Sequence, residues 1–225
     1  MMITDGKKTE IFECGNPDAP LIILNTYGDE GKAVYSKCAE LDTPEFNMAA
    51  VSGLDWDNDM SPWKAQSIVS GSDSYGGKAD EHLSLLTDRI IPEVINVLKG
   101  KPEYIALAGY SLGGLFAVYS LLKSGVFSAA VSASGSFWFP EFTEFAKKEI
   151  GKLKADCIYL SLGDREKYTK NEYLQSVQDK TQELHDLFEK HGIKTVFELN
   201  KGNHFRQSDL RTAKGIKWVL ENKRA

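Results

Sequence analysis

Positive charge is in short supply: 27 Lys and Arg stand against 32 Asp and Glu, a formal net charge of −5. Nucleic acids and anionic membranes both demand a basic face, so neither is expected as a partner. Cysteine is scarce too. Cys14, Cys38 and Cys157 are odd in number, far apart and form no CxxC pair. That argues against a disulfide framework or a zinc knuckle and leaves three small buried hydrophobes as the expectation. No apolar run approaches the ~18 residues of a membrane span; the strongest, Leu21-Ile22-Ile23-Leu24, has the length of a strand. Met1-Met2-Ile3-Thr4-Asp5-Gly6 lacks the apolar stretch of a signal peptide, so a cytoplasmic location is expected. His-x-x-x-His, the phosphate-cradling Gly-x-x-x-x-Gly-Lys and the dinucleotide-binding Gly-x-Gly-x-x-Gly after a strand are all missing, so no metal and no cofactor is expected.

What is present is an ordinary globular composition, 42% hydrophobic and 26% charged over 225 residues. That is enough for one generous domain with a full core. Strand-like and helix-like segments alternate. Strands are expected at Thr9–Glu13, Leu21–Asn25, Phe46–Ser52, Tyr104–Gly109, Ala129–Ser134, Cys157–Leu162 and Thr195–Leu199. Helices are expected at 32–41, along the Leu83, Leu86, Ile90, Val94, Leu98 stripe, and at Leu112–Lys123, Glu141–Lys152, Asn171–His191 and Ser208–Asn222. An irregular stretch over 53–78, rich in Gly, Ser and Asp, interrupts them. Repeated strand–helix units imply an α/β domain, 1–225, with a mostly parallel central sheet and helices on both faces. No separate lid is expected. Lys147, Lys148, Lys152 and Lys154 read as a solvated helix face.

The most informative segment is Gly109-Tyr110-Ser111-Leu112-Gly113, a G-x-S-x-G set directly between an apolar strand and a helix. That setting is what a nucleophile elbow needs: a turn so sharp that its flanks have no room for Cβ atoms. Ser111 would stand exposed at the strand end. The Leu112 N–H, at the helix N-terminus, would supply half of an oxyanion hole. A serine needs a base to attack at neutral pH. Of His82, His185, His191 and His204, the first three fall in or at the end of helices, where a solvated role is the default. His204 lies in the loop Lys201-Gly202-Asn203-His204-Phe205 between the last strand and the last helix, at the sheet rim that carries the elbow. The acid that orients the imidazole should lie between them in the chain, and Leu162-Gly163-Asp164-Arg165-Glu166 offers both Asp164 and Glu166.

The elbow with its following Gly-Leu-Phe, the later Ser134-Gly135-Ser136 and the histidine loop resemble the putative-esterase branch of the α/β-hydrolase superfamily. That branch holds esterase D and the enterochelin-type siderophore esterases, and the resemblance covers about Leu21 to Leu220. It implies the α/β-hydrolase fold and a serine nucleophile, and it does not specify the substrate. In that branch the acid often follows its strand as Gly-x-x-Glu or Gly-x-x-Asp, which favours Glu166 over Asp164; some siderophore esterases work with a Ser–His dyad. The second oxyanion donor normally comes from the loop after an early strand. Here that loop is Asn25-Thr26-Tyr27-Gly28, where relatives carry His-Gly, and the N–H of Thr26 or Tyr27 is the expected donor.

Trp56, Trp63 and Tyr75 in the irregular stretch and Trp138 in Phe137-Trp138-Phe139 would stand on the rim around Ser111 and could wall an acyl or aryl pocket. Packing the loops down is the competing role for the tryptophans. The expected activity is cleavage of small-molecule carboxylic esters through an acyl-enzyme on Ser111, falling in acid as the imidazole takes a proton. An acyltransferase using the same serine, or a non-catalytic protein holding a siderophore-like or aryl ligand, are the alternatives. The sequence leaves the ester and the oligomeric state open.

Overall fold

In a computed structural model residues 1–68 and 74–223 are described. Gly71 of the irregular stretch lies outside the described residues. One eight-stranded sheet has the order β1-β2-β4-β3-β7-β8-β9-β10. Its strands are β1 (Met2–Thr4), β2 (Lys7–Phe12), β3 (Leu21–Asn25), β4 (Asn47–Ser52), β7 (Ile105–Tyr110), β8 (Ala129–Ala133), β9 (Cys157–Gly163) and β10 (Lys194–Asn200). From β4 through β10 every neighbouring pair is parallel, and β1 and β2 close one edge antiparallel. A two-stranded ribbon, β5 (Lys64–Ala65) with β6 (Tyr75–Gly76), stands apart.

The helices are α1 (Gly31–Glu40), α2 (Trp56–Asp59), α3 (Ala79–Leu85), α4 (Ile91–Leu98), α5 (Leu112–Lys123), α6 (Phe142–Glu149), α7 (Glu172–Gln175), α8 (Val177–Lys190) and α9 (Ser208–Asn222). Every residue of β3, β8 and β9 is buried, because a parallel strand covered on both faces has no polar side to show. Side chains alternate across the sheet. Leu21 and Ile23 join Leu107, Phe116, Leu184 and Phe188 on the face covered by α3 to α6 and α8. Ile22 and Leu24 join Val34, Met48, Ala213, Ile216 and Val219 on the face covered by α1 and α9. The mostly parallel sheet is what the alternating pattern leads one to expect, and the whole is the α/β-hydrolase fold that the family resemblance implies.

Element boundaries shift locally. The stripe from Leu83 to Leu98 forms not one helix but α3, a π turn at Leu86–Ile90, and α4. Pro92 in the first turn of α4 explains the break: it has no N–H to give back to the preceding turn, and its ring crowds the carbonyl four residues earlier. The expected helix 171–191 likewise divides at Ser176 into α7 and α8. β1 and α2 carry too few residues to show a period and escape a pattern reading.

All three cysteines are free. Burial pushes the Cys38 and Cys157 thiols up to about 12, so both act as packing groups rather than nucleophiles. Lys147 pairs with Glu144 and Glu183, and Lys152 with Glu149, on exposed helix surface. Among the described residues no helix is long and apolar enough to cross a membrane.

Candidate active site

The turn from β7 into α5 is as tight as its glycines suggest. Ser111 takes φ 57° and ψ −122°, a strained conformation for a residue with a side chain, costing on the order of 1–3 kcal/mol. A Cβ on Gly109 would stand 2.3 Å from the Gly113 carbonyl group, so strand and helix can approach only across a glycine. The Ser111 N–H donates to the Ala133 carbonyl at 3.0 Å, which ties the turn to β8. Leu112 is the first residue of α5, where an N–H has no acceptor within the helix and the helix dipole is positive.

Four consecutive strand ends meet at this rim. Ser111 follows β7, Ser134 and Ser136 follow β8, Glu166 follows β9 and His204 follows β10. His204 Nε2 lies 3.1 Å from Ser111 Oγ, and His204 Nδ1 lies 2.7 Å from Glu166 Oε2. Ser136 Oγ stands 3.4 Å from Ser111 Oγ. The structure thus brings Ser111, His204 and Glu166 into one hydrogen-bonded row. Asp164 stands outside it: its Oδ1 accepts the Gly202 N–H at 2.8 Å, clamping the β9 loop to the β10 loop.

The other Glu166 oxygen is occupied three times over. Oε1 accepts from the Gly163 N–H at 2.5 Å, from Ser134 Oγ at 2.8 Å and from Arg211 Nη1 at 3.0 Å. Burial alone would raise this carboxyl, but hydrogen bonds from His204, Gly163 and Ser134 and the imidazole's field outweigh it and hold the group below the ordinary glutamate range. Arg211, 1% exposed, is among the largest fully buried side chains of the described residues. Its guanidinium also donates to Tyr110 Oη, Ser134 Oγ and the Asn203 carbonyl, while Tyr110 Oη donates to the His204 carbonyl. One arginine therefore joins the elbow, the acid loop and the histidine loop. Sequence reasoning missed it, although a signal existed: Arg211 falls in phase with buried Gly215 and Val219 on the inner stripe of α9, where an unpaired charge would be untenable.

On the opposite side of Ser111 the loop after β3 departs from expectation at one residue. The Thr26 N–H donates to the Val51 carbonyl at 2.9 Å, and its hydroxyl donates to the Gly28 and Val51 carbonyls. Thr26 is thereby excluded as an oxyanion donor, because β4 extends its pairing one residue past β3. The Tyr27 N–H meets no acceptor among the described residues and remains available.

His82, expected to be solvated, is 2% exposed instead. It packs on Phe116 and its Nε2 lies 3.1 Å from Asn25 Oδ1, beneath this same loop. It sits in phase with the buried Ala79, Leu83 and Leu86, and that phase was readable. Burial lowers its pKa from 6.5 to about 4, with the Lys7 ammonium adding to the effect and Asp59 opposing it. The unfolded chain therefore binds a proton between pH 6.5 and 4 that the folded chain refuses, so stability falls as pH drops through that window. The loss should reach roughly 3 kcal/mol. Urea midpoints measured across the window should show this slope in the wild type and a flatter one in His82→Gln; equal slopes would remove His82 as the cause.

A cavity of about 340 Å³ opens onto Ser111 and His204. Of the four aromatic residues expected there, Trp56 alone lines it. Trp63 turns inward, its Nε1 donating to the Pro140 carbonyl and its ring packed on Phe139, Phe142 and Phe145. Tyr75 is buried against Trp138 and Phe139. Those three pack the rim loops down, and Tyr27, Trp56, Tyr110 and Phe205 are the Tyr, Trp and Phe side chains that line the cavity among the described residues. His185 and His191 lie on and after α8, bonded to Asp186 and the Leu187 carbonyl, and neither lines the cavity.

The family described as "Putative esterase" matches residues 39–208. The protein YbbA of Bacillus subtilis (strain 168), described as uncharacterized, is 24% identical over 216 residues, covering 88% of this chain and 86% of its own. Among solved structures, an IroE-like serine hydrolase from Shewanella oneidensis superposes with a TM-score of 0.78 at 17% identity, over 96% of this chain and 76% of its own. The siderophore hydrolase EstA from Aspergillus nidulans gives 0.72 at 16% identity, over 96% and 94%. The enterobactin esterase from Shigella flexneri gives 0.70 at 17% identity, and this chain spans 55% of it. Such likenesses show a shared fold, and the family match extends over most of the chain, elbow included. This chain belongs to the putative-esterase family of the α/β-hydrolase fold and is a carboxylic ester hydrolase.

Proposed function

We propose that the protein hydrolyses small-molecule carboxylic esters through an acyl-enzyme on Ser111, with His204 as the base and Glu166 as the acid that orients it. The observation that carries this reading is the row itself, Ser111 Oγ to His204 Nε2 at 3.1 Å and His204 Nδ1 to Glu166 Oε2 at 2.7 Å. An ionised Glu166 accepts from Nδ1–H, which leaves the Nε2 lone pair facing the serine. His204 Nε2 takes the Ser111 proton as Oγ adds to the ester carbonyl. The oxyanion then forms between the N–H groups of Leu112 and Tyr27. Collapse breaks the bond to the alcohol, which leaves with the proton from His204, and water repeats the two steps to release the acid and restore Ser111.

A fluorophosphonate tests the reading directly. Intact-mass measurement of the treated protein should show one adduct per chain, absent in Ser111→Ala and strongly slowed in His204→Ala. Folded wild type that stays unlabelled while hydrolysing an ester would show that another group performs the chemistry.

A further inference from the structure

The mouth of the Ser111 cavity carries a charge pattern that ester hydrolysis does not require. Two carboxylates line it, Glu30 at the end of the β3 loop and Asp209 in the first turn of α9, and no lysine or arginine does so among the described residues. The Asp209 carboxylate accepts no hydrogen bond among the described residues. Glu30 Oε2 accepts the Gly28 N–H at 2.7 Å. Among the neighbouring cations, Lys37, whose ammonium feels Asp209, donates to both Glu40 oxygens at 2.6 and 2.9 Å.

Aromatic rings complete the pattern. Tyr27 is 74% and Phe205 88% exposed, each a large apolar surface left open beside the cavity. Trp56 meets Tyr27 edge-on, with ring centroids 5.6 Å apart and planes at 86°. Ring faces attract cations through their quadrupole, and a cleft lined by one sign of charge concentrates the opposite sign and repels its own. Rings and carboxylates thus favour one and the same kind of ligand.

Building on the serine-esterase reading above, we propose that this site selects esters carrying an ammonium group, quaternary or protonated, away from the scissile bond, and disfavours esters carrying a carboxylate there. Glu30 and Asp209 are the specificity-determining residues. The reaction is unchanged; only the recognised end of the substrate is added.

The test uses isosteric acetate esters of 2-(trimethylammonio)ethanol and 3,3-dimethylbutanol, which differ in charge and not in shape, together with the matching pair bearing the group in the acyl half. In at least one half the cationic ester should exceed its neutral isostere in kcat/KM by about tenfold at low salt, and the ratio should shrink in 0.5 M salt, roughly a 4 Å screening length. The ratio should also approach one in Glu30→Gln/Asp209→Asn, and as a ratio within one preparation it cancels any general loss of activity. Hydrolysis of the neutral esters with ratios at or below one, or a ratio that the double substitution leaves unmoved, would overturn the preference while the serine-esterase reading stands. No turnover of any of these esters, with no fluorophosphonate adduct on Ser111, would overturn both.

Discussion

Ser111→Ala should lower kcat/KM by about 10⁴- to 10⁶-fold, since on the proposed mechanism it removes the group that carries the acyl intermediate. His204→Ala should fall in the same range, and the double variant should be no worse than either single one. Non-additivity is the informative part: a base without its nucleophile, or a nucleophile without its base, has nothing left to lose. Alanine at 111 inherits the same φ of 57°, so the fold and its strain persist and the lost rate reports chemistry alone. The measurement is single-turnover hydrolysis of one activated ester by four proteins. Residual activity within tenfold of wild type in Ser111→Ala, or clean multiplicative losses in the double variant, would break the proposed unit.

The second large effect falls on stability. Arg211→Met removes the cation that faces Glu166 at 3.0 Å and leaves a 5% exposed carboxylate with no counter-charge on that side. It also strips a donor from Ser134, Tyr110 and the Asn203 carbonyl. Breaking one partner of a buried ion pair costs about 3–5 kcal/mol, a large share of the ~5–15 kcal/mol that holds a domain folded. Lysine should restore only part of this, because a single ammonium cannot reproduce the fork that reaches Glu166 and Asn203 together. Activity should fall as well, since the loops bearing Glu166 and His204 are joined through this side chain. Urea unfolding of wild type, Arg211→Met and Arg211→Lys decides the matter, and a loss under about 1 kcal/mol in the methionine variant would show that the pair contributes little net stability.

How much of this could be read from the chain follows from the range of the forces involved. Ser111 was legible because its surroundings are local: Gly109 and Gly113 flank it, and a Cβ on Gly109 would strike Gly113 in the next turn. His204 was legible because only one of the four histidines lies in a loop at the correct sheet edge. The choice between Asp164 and Glu166 was not settled by local pattern, since both sit in one loop two residues apart. What separates them is long-range, the Gly202 N–H on one and Arg211, 45 residues on, on the other. Thr26 and Tyr27 differ by whether β4 reaches far enough to engage an N–H, which no pattern within the loop encodes. Trp63, Tyr75 and Trp138 misled because aromatic residues in irregular segments serve equally as mouth and as mortar. His82 and Arg211 were illegible as roles yet visible as anomalies, polar groups in phase with an apolar stripe.

β10 has a consequence for how the enzyme is disarmed. It is the edge strand, paired with β9 alone and half-buried along most of its length, and His204 follows it. An edge held from one side opens more readily than the strands packed between neighbours on both sides. Ser111 follows β7, which has β8, β9 and β10 between it and that edge and β3 on its other side. On the proposed mechanism, partial melting at this edge would withdraw the base and leave the serine in place, inert for want of a proton acceptor. A chain at the margin of its stability loses catalytic competence before it loses its centre, so a damaged copy falls silent instead of acting indiscriminately.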